Sequence, residues 1–127
     1  MADYTIKNLM DVEDSAAGRA DGIEARFGRK HLDSEHLGIS YFRYGPGVQA
    51  PGHRHREQEE GYVIVGGSGR VKLDDEIIDL RRWDVIRVSP NVVRAFEGGT
   101  DGLEVIAVGS DRPEGGDGEM VQDFWTD

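Results

Sequence analysis

Residues 47–69 read GVQAPGHRHREQEEGYVIVGGSG, and both the fold and the chemistry of the chain turn on them. His53 and His55 stand two apart, a glutamate-rich run follows, and a short apolar segment then ends in a cluster of glycines. In a β-strand alternate side chains point to opposite faces, so His53 and His55 point the same way. Two imidazoles on one face can converge on one ion, and a carboxylate from a neighbouring strand can complete the set. Two histidines and one carboxylate suit Fe, Mn, Ni or Zn and leave coordination positions open for water or a substrate. Taken without its surroundings, the same pair reads as exposed polar histidines.

Outward from this stretch the chain is a series of short β-prone segments. ISYFRY (39–44) is rich in β-branched and aromatic residues, and YVIVGG (62–67) is too short for a helix. GRVKLDDEIIDL (69–80) reads as a hairpin that bends at Asp74, Asp75 and Glu76. DVIRVS (84–89) alternates, with Val85 and Arg87 on one face and Ile86 and Val88 on the other. VVRAFEGG (92–99) and GLEVIAVG (102–109) read as further strands, and YTIKNL (4–9) as a possible one near the N-terminus. Short strands between turn signals specify a sandwich or a barrel. The last residues, 111–127, are glycine-rich and acidic, and Phe124 and Trp125 suit docking onto the chain's own body or onto a partner subunit.

Composition bounds the function. A length of 127 residues fits one domain, and 18 glycines against 4 prolines point to many tight turns. There is no cysteine, so a metal must be held by histidine, carboxylate or water. The net charge of −10 argues against a general nucleic-acid backbone binder. No 18-residue apolar run spans a membrane, and the N-terminal stretch has neither a basic nor an apolar signal region. A cytoplasmic protein is therefore expected.

The spacing G-x5-H-x-H-x4-E-x6-G is met in full by Gly47, His53, His55, Glu60 and Gly67. It resembles the first sequence motif of the cupin superfamily. The second motif of that family, G-x5-P-x-G-x2-H-x3-N, is degenerate here: its register is occupied by Trp83, Ser89, Asn91, Arg94 and Gly98. Asp84 follows the first of these positions as in many members, Pro90 lies one residue from the expected proline, and Asn91 tolerates a glycine's backbone conformation. The resemblance implies an all-β, double-stranded β-helix (jelly-roll) barrel over residues 36–109. Residues 1–35 would then form an arm packed on the barrel and residues 110–127 a tail, within a single domain. It also implies a divalent metal bound inside the barrel, and an activity that the fold alone does not decide. A homodimer is expected, with Phe124 and Trp125 buried.

Arg94 stands where the resemblance places a third metal-binding histidine. A guanidinium stays protonated and only donates, so it is no ligand. Three readings follow. His53, His55 and Glu60 bind the metal as a reduced set, with Arg94 beside it to bind a small anionic ligand. Alternatively no metal binds, and Arg94 pairs with Glu60 in a metal-free binding module. In the third reading Arg94 faces out. No catalytic residue is identified. Glu57, Gln58 and Glu59 read as a solvated turn, with Glu59 the alternative ligand. His31 and His36 read as surface residues, Trp83 and Trp125 as packing residues, and Arg43 and Arg87 as exposed strand residues.

Overall fold

The computed structural model of the protein describes residues 3–111 and 113–125. Its strands are β1 (Ile23–Phe27), β2 (Gly38–Tyr44), β3 (Gly52–His55), β4 (Glu60–Leu73), β5 (Glu76–Arg81), β6 (Val85–Val88), β7 (Arg94–Gly109) and β8 (Gly118–Val121). A single 3-10 turn, Leu9–Asp11, is the one helical element among the described residues. YTIKNL is not a strand: its residues pair with no neighbour, and the Asn8 side chain instead accepts from the Met10 N–H to start that turn.

The sequence reading also divided two strands that are continuous. YVIVGG and GRVKL merge into β4, and VVRAFEGG and GLEVIAVG merge into β7. These long strands run antiparallel along their length, with register shifts between Ile64 and Gly66 and between Gly67 and Gly69. The shifts bend them, as bulges do. Gly67, the last glycine of the motif, has φ 68° there, and a β-carbon on it would run into the Gly102 carbonyl. No other residue fits that crossing.

The bend divides one sheet into two facing halves. On one side β1, β2, the C-terminal half of β7, the start of β4 and β6 lie side by side. On the other, β8 and β3 flank the N-terminal end of β7, and the end of β4 carries β5. The result is the jelly-roll barrel. Its core is Tyr44, Tyr62, Ile64, Val71, Leu80, Val88, Phe96, Leu103, Val105 and their neighbours. Period-two alternation puts Glu60 on the inward face with Tyr62 and Ile64, and Arg94 on the inward face with Phe96.

The C-terminal segment is part of this sheet. β8 pairs with β3 from Gly52↔Val121 to His55↔Gly118. Phe124 then covers Gly52, where a β-carbon would come within 2.8 Å of it, and Trp125 Nε1 donates to the Ala50 carbonyl at 2.8 Å. Both aromatics are half-buried against their own chain. Trp83 does not pack: it is 64 % exposed. Its backbone is left-handed, φ 78°, in the turn between β5 and β6, and the Arg82 guanidinium lies over its ring, 4.9 Å from the centre. A glycine would ordinarily stand in that conformation.

Candidate metal centre

His53 and His55 project from one face of β3, and Glu60 opens β4. Their ligand atoms lie within 4.8 Å of one another. Glu60 Oε1 is the hub: His55 Nε2 is 3.2 Å away, His53 Nε2 3.6 Å and Arg94 Nη2 3.1 Å. The Tyr62 hydroxyl also donates to it. Glu59, the alternative ligand, is exposed and pairs with Arg87 at 2.8 Å.

Contacts behind the cluster fix its protons. His55 Nδ1 is 2.8 Å from Asp117 Oδ1, so with a proton on Nδ1 its Nε2 lone pair faces Glu60. Asp117 is 4 % exposed and its other oxygen accepts from the Glu57 and Gln58 N–H groups at 2.7 and 2.9 Å. Burial would raise its pKa, but those two N–H groups and His55 outweigh burial and hold it at about 2. Burial likewise pushes Glu60 up, and the two imidazoles with Tyr62 outweigh it and hold the carboxyl far below the usual range. Glu60 raises the pKa of His55 against the effect of burial, and Asp117 adds to the rise. Burial and the charge of Glu60 keep Tyr62 a neutral phenol.

Arg94 is fully buried. It lies directly across from His53 in the β3–β7 register and donates to the Pro90 and Val92 carbonyls at 3.0 and 2.6 Å and to the Tyr62 hydroxyl at 3.3 Å. It faces inward, behind Glu60. Its Nη2 and His55 Nε2 are both buried without a hydrogen bond, since their approach to Glu60 is close but misaligned. A divalent cation would give the His55 lone pair the partner it lacks. Two carboxylates against one guanidinium leave the cluster negative when the imidazoles are neutral, so the donor set fits such an ion.

Beside the cluster a cavity of about 870 Å³ is lined by His55, Glu60, Gln58, Asp117, Phe42 and the loop after β1, including Arg29 and His31. Gln58 is buried at 6 % exposure, not solvated as the acidic run around it suggests: its side chain turns in to donate to the Ser110 carbonyl at 3.1 Å. His31 pairs with Glu13 at 2.9 Å on the cavity wall, and His36 is exposed beside Asp111. Sequence reading missed Asp117 and Tyr62. The signal for Asp117 was slight: one acidic residue in GGDG, where Gly115 and Gly116 have φ 80° and 78° and turn the loop back toward β3.

Among curated proteins none matches the chain. Among solved structures, a cupin protein from Bacteroides fragilis is 20% identical, with a TM-score of 0.73 over 87% of this chain and 86% of its own. KdgF from a Halomonas species is 18% identical, with a TM-score of 0.66 over 76% of this chain and 87% of its own. Oxalate decarboxylase from Bacillus subtilis is 23% identical, with a TM-score of 0.77 over 94% of this chain. The chain spans only 33% of that enzyme, and identities this low speak for the fold alone. The model of the cupin domain matches residues 40–109, from β2 to the end of β7, and so takes in both His53–His55–Glu60 and the barrel that presents them. The chain belongs to the cupin domain family.

Proposed function

We propose that this protein binds one divalent transition metal, Fe, Mn, Ni or Zn, through His53, His55 and Glu60, and that the adjoining cavity takes a small anionic molecule. The observation that carries the reading is the buried, unpartnered His55 Nε2, oriented by Asp117 toward the point where His53 and Glu60 also converge. A bound ion would supply Lewis-acid polarisation of a ligand oxygen at its open positions. Around it Tyr62 and Arg94 hold Glu60 in place, the two imidazoles and Tyr62 keep it ionised, and Asp117 holds His55. Arg94 acts on the site through Glu60, and its direct contact with a ligand would require Glu60 to swing toward the metal.

A second reading has its own support. Arg94 Nη2 lies 3.1 Å from Glu60 Oε1, so the pair can balance its charges without a metal in a ligand-binding, non-catalytic cupin. Elemental analysis separates the two. Protein purified without chelator should carry close to one transition metal per chain, and the His53→Ala, His55→Ala double variant should carry none. Equal metal content in both proteins would overturn the metal reading and leave the charge pair.

A further inference from the structure

Three residues in one row across the sheet make a gap beside the metal cluster. The registers Gly38↔Gly109 in β2–β7 and Glu60↔Gly109 in β4–β7 align Gly38, Gly109 and Glu60. Directly opposed residues share a face of the sheet, so two glycines without side chains lie next to the Glu60 carboxylate. Arg29 uses the space. A β-carbon on Gly38 would come within 2.5 Å of its Nη2 and 3.0 Å of its Nε, so the guanidinium lies flat over that residue. A β-carbon on Gly109 would sit 3.0 Å from Gln58 Nε2, 3.7 Å from Arg29 Nη2 and 4.0 Å from Glu60 Oε2. Two nitrogen donors and the candidate ligand carboxylate therefore border the side-chain-free face of Gly109.

The donors are held in advance. Arg29 Nη2 and Gln58 Nε2 both donate to the Ser110 carbonyl, at 2.8 and 3.1 Å. Each nitrogen carries a second hydrogen, and no other acceptor takes it among the described residues. Beyond the gap the cavity wall carries an aromatic pair: Phe27 and Phe42 meet edge to face at 5.4 Å, with Ser40 and Ala107 beside them. We infer that Arg29 and Gln58 form an oxyanion subsite over Gly109 for a small carboxylic acid whose apolar or ring-bearing body lies on Phe27 and Phe42. An oxygen resting in contact with the bare face of Gly109 accepts from both nitrogens, and the rest of the carboxylate faces the metal position at Glu60. The guanidinium supplies the charge, in the planar geometry that suits a carboxylate. This inference rests on the proposed anion-binding role of the cavity and names its anchor and its ligand class.

The test is calorimetric titration of benzoate, acetate and inorganic phosphate into wild type, Arg29→Met and Gly109→Ala, with the metal content of each protein measured in parallel. Benzoate should bind wild type more tightly than acetate. Its affinity should fall roughly ten-fold or more in both variants, in Arg29→Met by loss of a charged hydrogen bond and in Gly109→Ala by exclusion from the subsite, while metal content stays level. Gly109 lies in a strand without a positive φ, so its backbone accepts alanine, whose β-carbon, 3.0 Å from Gln58 Nε2, crowds that amide and covers the open face. Arg29→Lys, which keeps the charge without the planar fork, replaces Arg29→Met if that variant does not fold, and should also bind weakly. Equal benzoate affinity in all proteins, or none in wild type, overturns the subsite. Tighter binding of phosphate than of benzoate overturns the carboxylate assignment. If the metal reading alone is wrong, none of the proteins carries metal and benzoate binding still depends on Arg29.

Discussion

Asp117 decides which nitrogen of His55 is offered to the cluster. A carboxylate behind a metal-binding imidazole fixes its tautomer and raises its basicity, and losing it commonly costs 10- to 100-fold in metal affinity. Asp117→Asn keeps the shape and removes the charge. We expect metal affinity, measured by competition with a chromophoric chelator, to fall within about that range while the three ligands stay in place. Unchanged affinity would reduce Asp117 to a brace for the 57–58 backbone, whose N–H groups it accepts. Arg94 belongs to the same residue-scale balance. A buried guanidinium costs several kcal/mol to desolvate, and it is kept here by two backbone carbonyls, Tyr62 and the Glu60 carboxylate.

Strand pairing explains how much of this was legible in the sequence. Alternation within one strand is a local property, so the shared face of His53 and His55 could be read from two residues, and the motif spacing added Glu60 across a short loop. The hairpin at Asp74 and the faces of DVIRVS were equally local. Contacts that cross the barrel leave no local trace: Asp117 reaches His55 over 62 positions and Arg29 reaches Ser110 over 81. The unity of β4 and of β7 was hidden for a related reason, because their glycines mark bends in continuous strands and read as ends. One such cross-strand pair can be weighed. Arg70 and Glu97 stand in register on β4 and β7, joined at 2.6 and 3.0 Å, with Gln49 donating to the same carboxylate at 2.6 Å. Arg70, with help from Gln49, lowers the pKa of Glu97 below 4.5 against the effect of burial. A carboxyl depressed in the folded state contributes stability above its unfolded pKa and loses it as pH falls through the folded one. Because the Arg70 side chain is 40% exposed, Glu97→Gln should cost only about 0.2–1 kcal/mol at neutral pH. In urea titrations the gap between wild type and variant should close as pH drops below 4.5. A gap that persists in acid would assign the effect to packing.

At the scale of the molecule, the strand that carries both histidines depends on the end of the chain. β3 meets β7 in register only at His53↔Arg94, but it pairs with β8 at four successive residues. β8 is in turn pinned by the aromatic pair that follows it, with Phe124 over Gly52 and Trp125 bonded to Ala50. Lys72 and Arg70 of β4 lie over those rings, at 4.5 and 5.8 Å from their centres. Phe124→Ala removes a half-buried ring from over Gly52, a loss of about 1–3 kcal/mol by the usual contribution of burying such a side chain. It should lower the urea midpoint and weaken metal binding together, because the β3 backbone that sets the spacing of His53 and His55 loses its outer support. Leu80→Ala supplies the comparison: Leu80 is buried in β5, which pairs only with β4, so that variant should lose stability while holding its metal. Equal losses of metal affinity in both variants would make the tail one more contributor to stability rather than a support for the metal strand. Both aromatics dock on their own chain, so light scattering should give Phe124→Ala the same assembled mass as wild type, whether that is the 14.1 kDa chain or the homodimer expected from its sequence. A drop in mass on removing Phe124 would show that the ring bridges subunits in solution, and would transfer the support of β3 from the tail of the same chain to that of its partner.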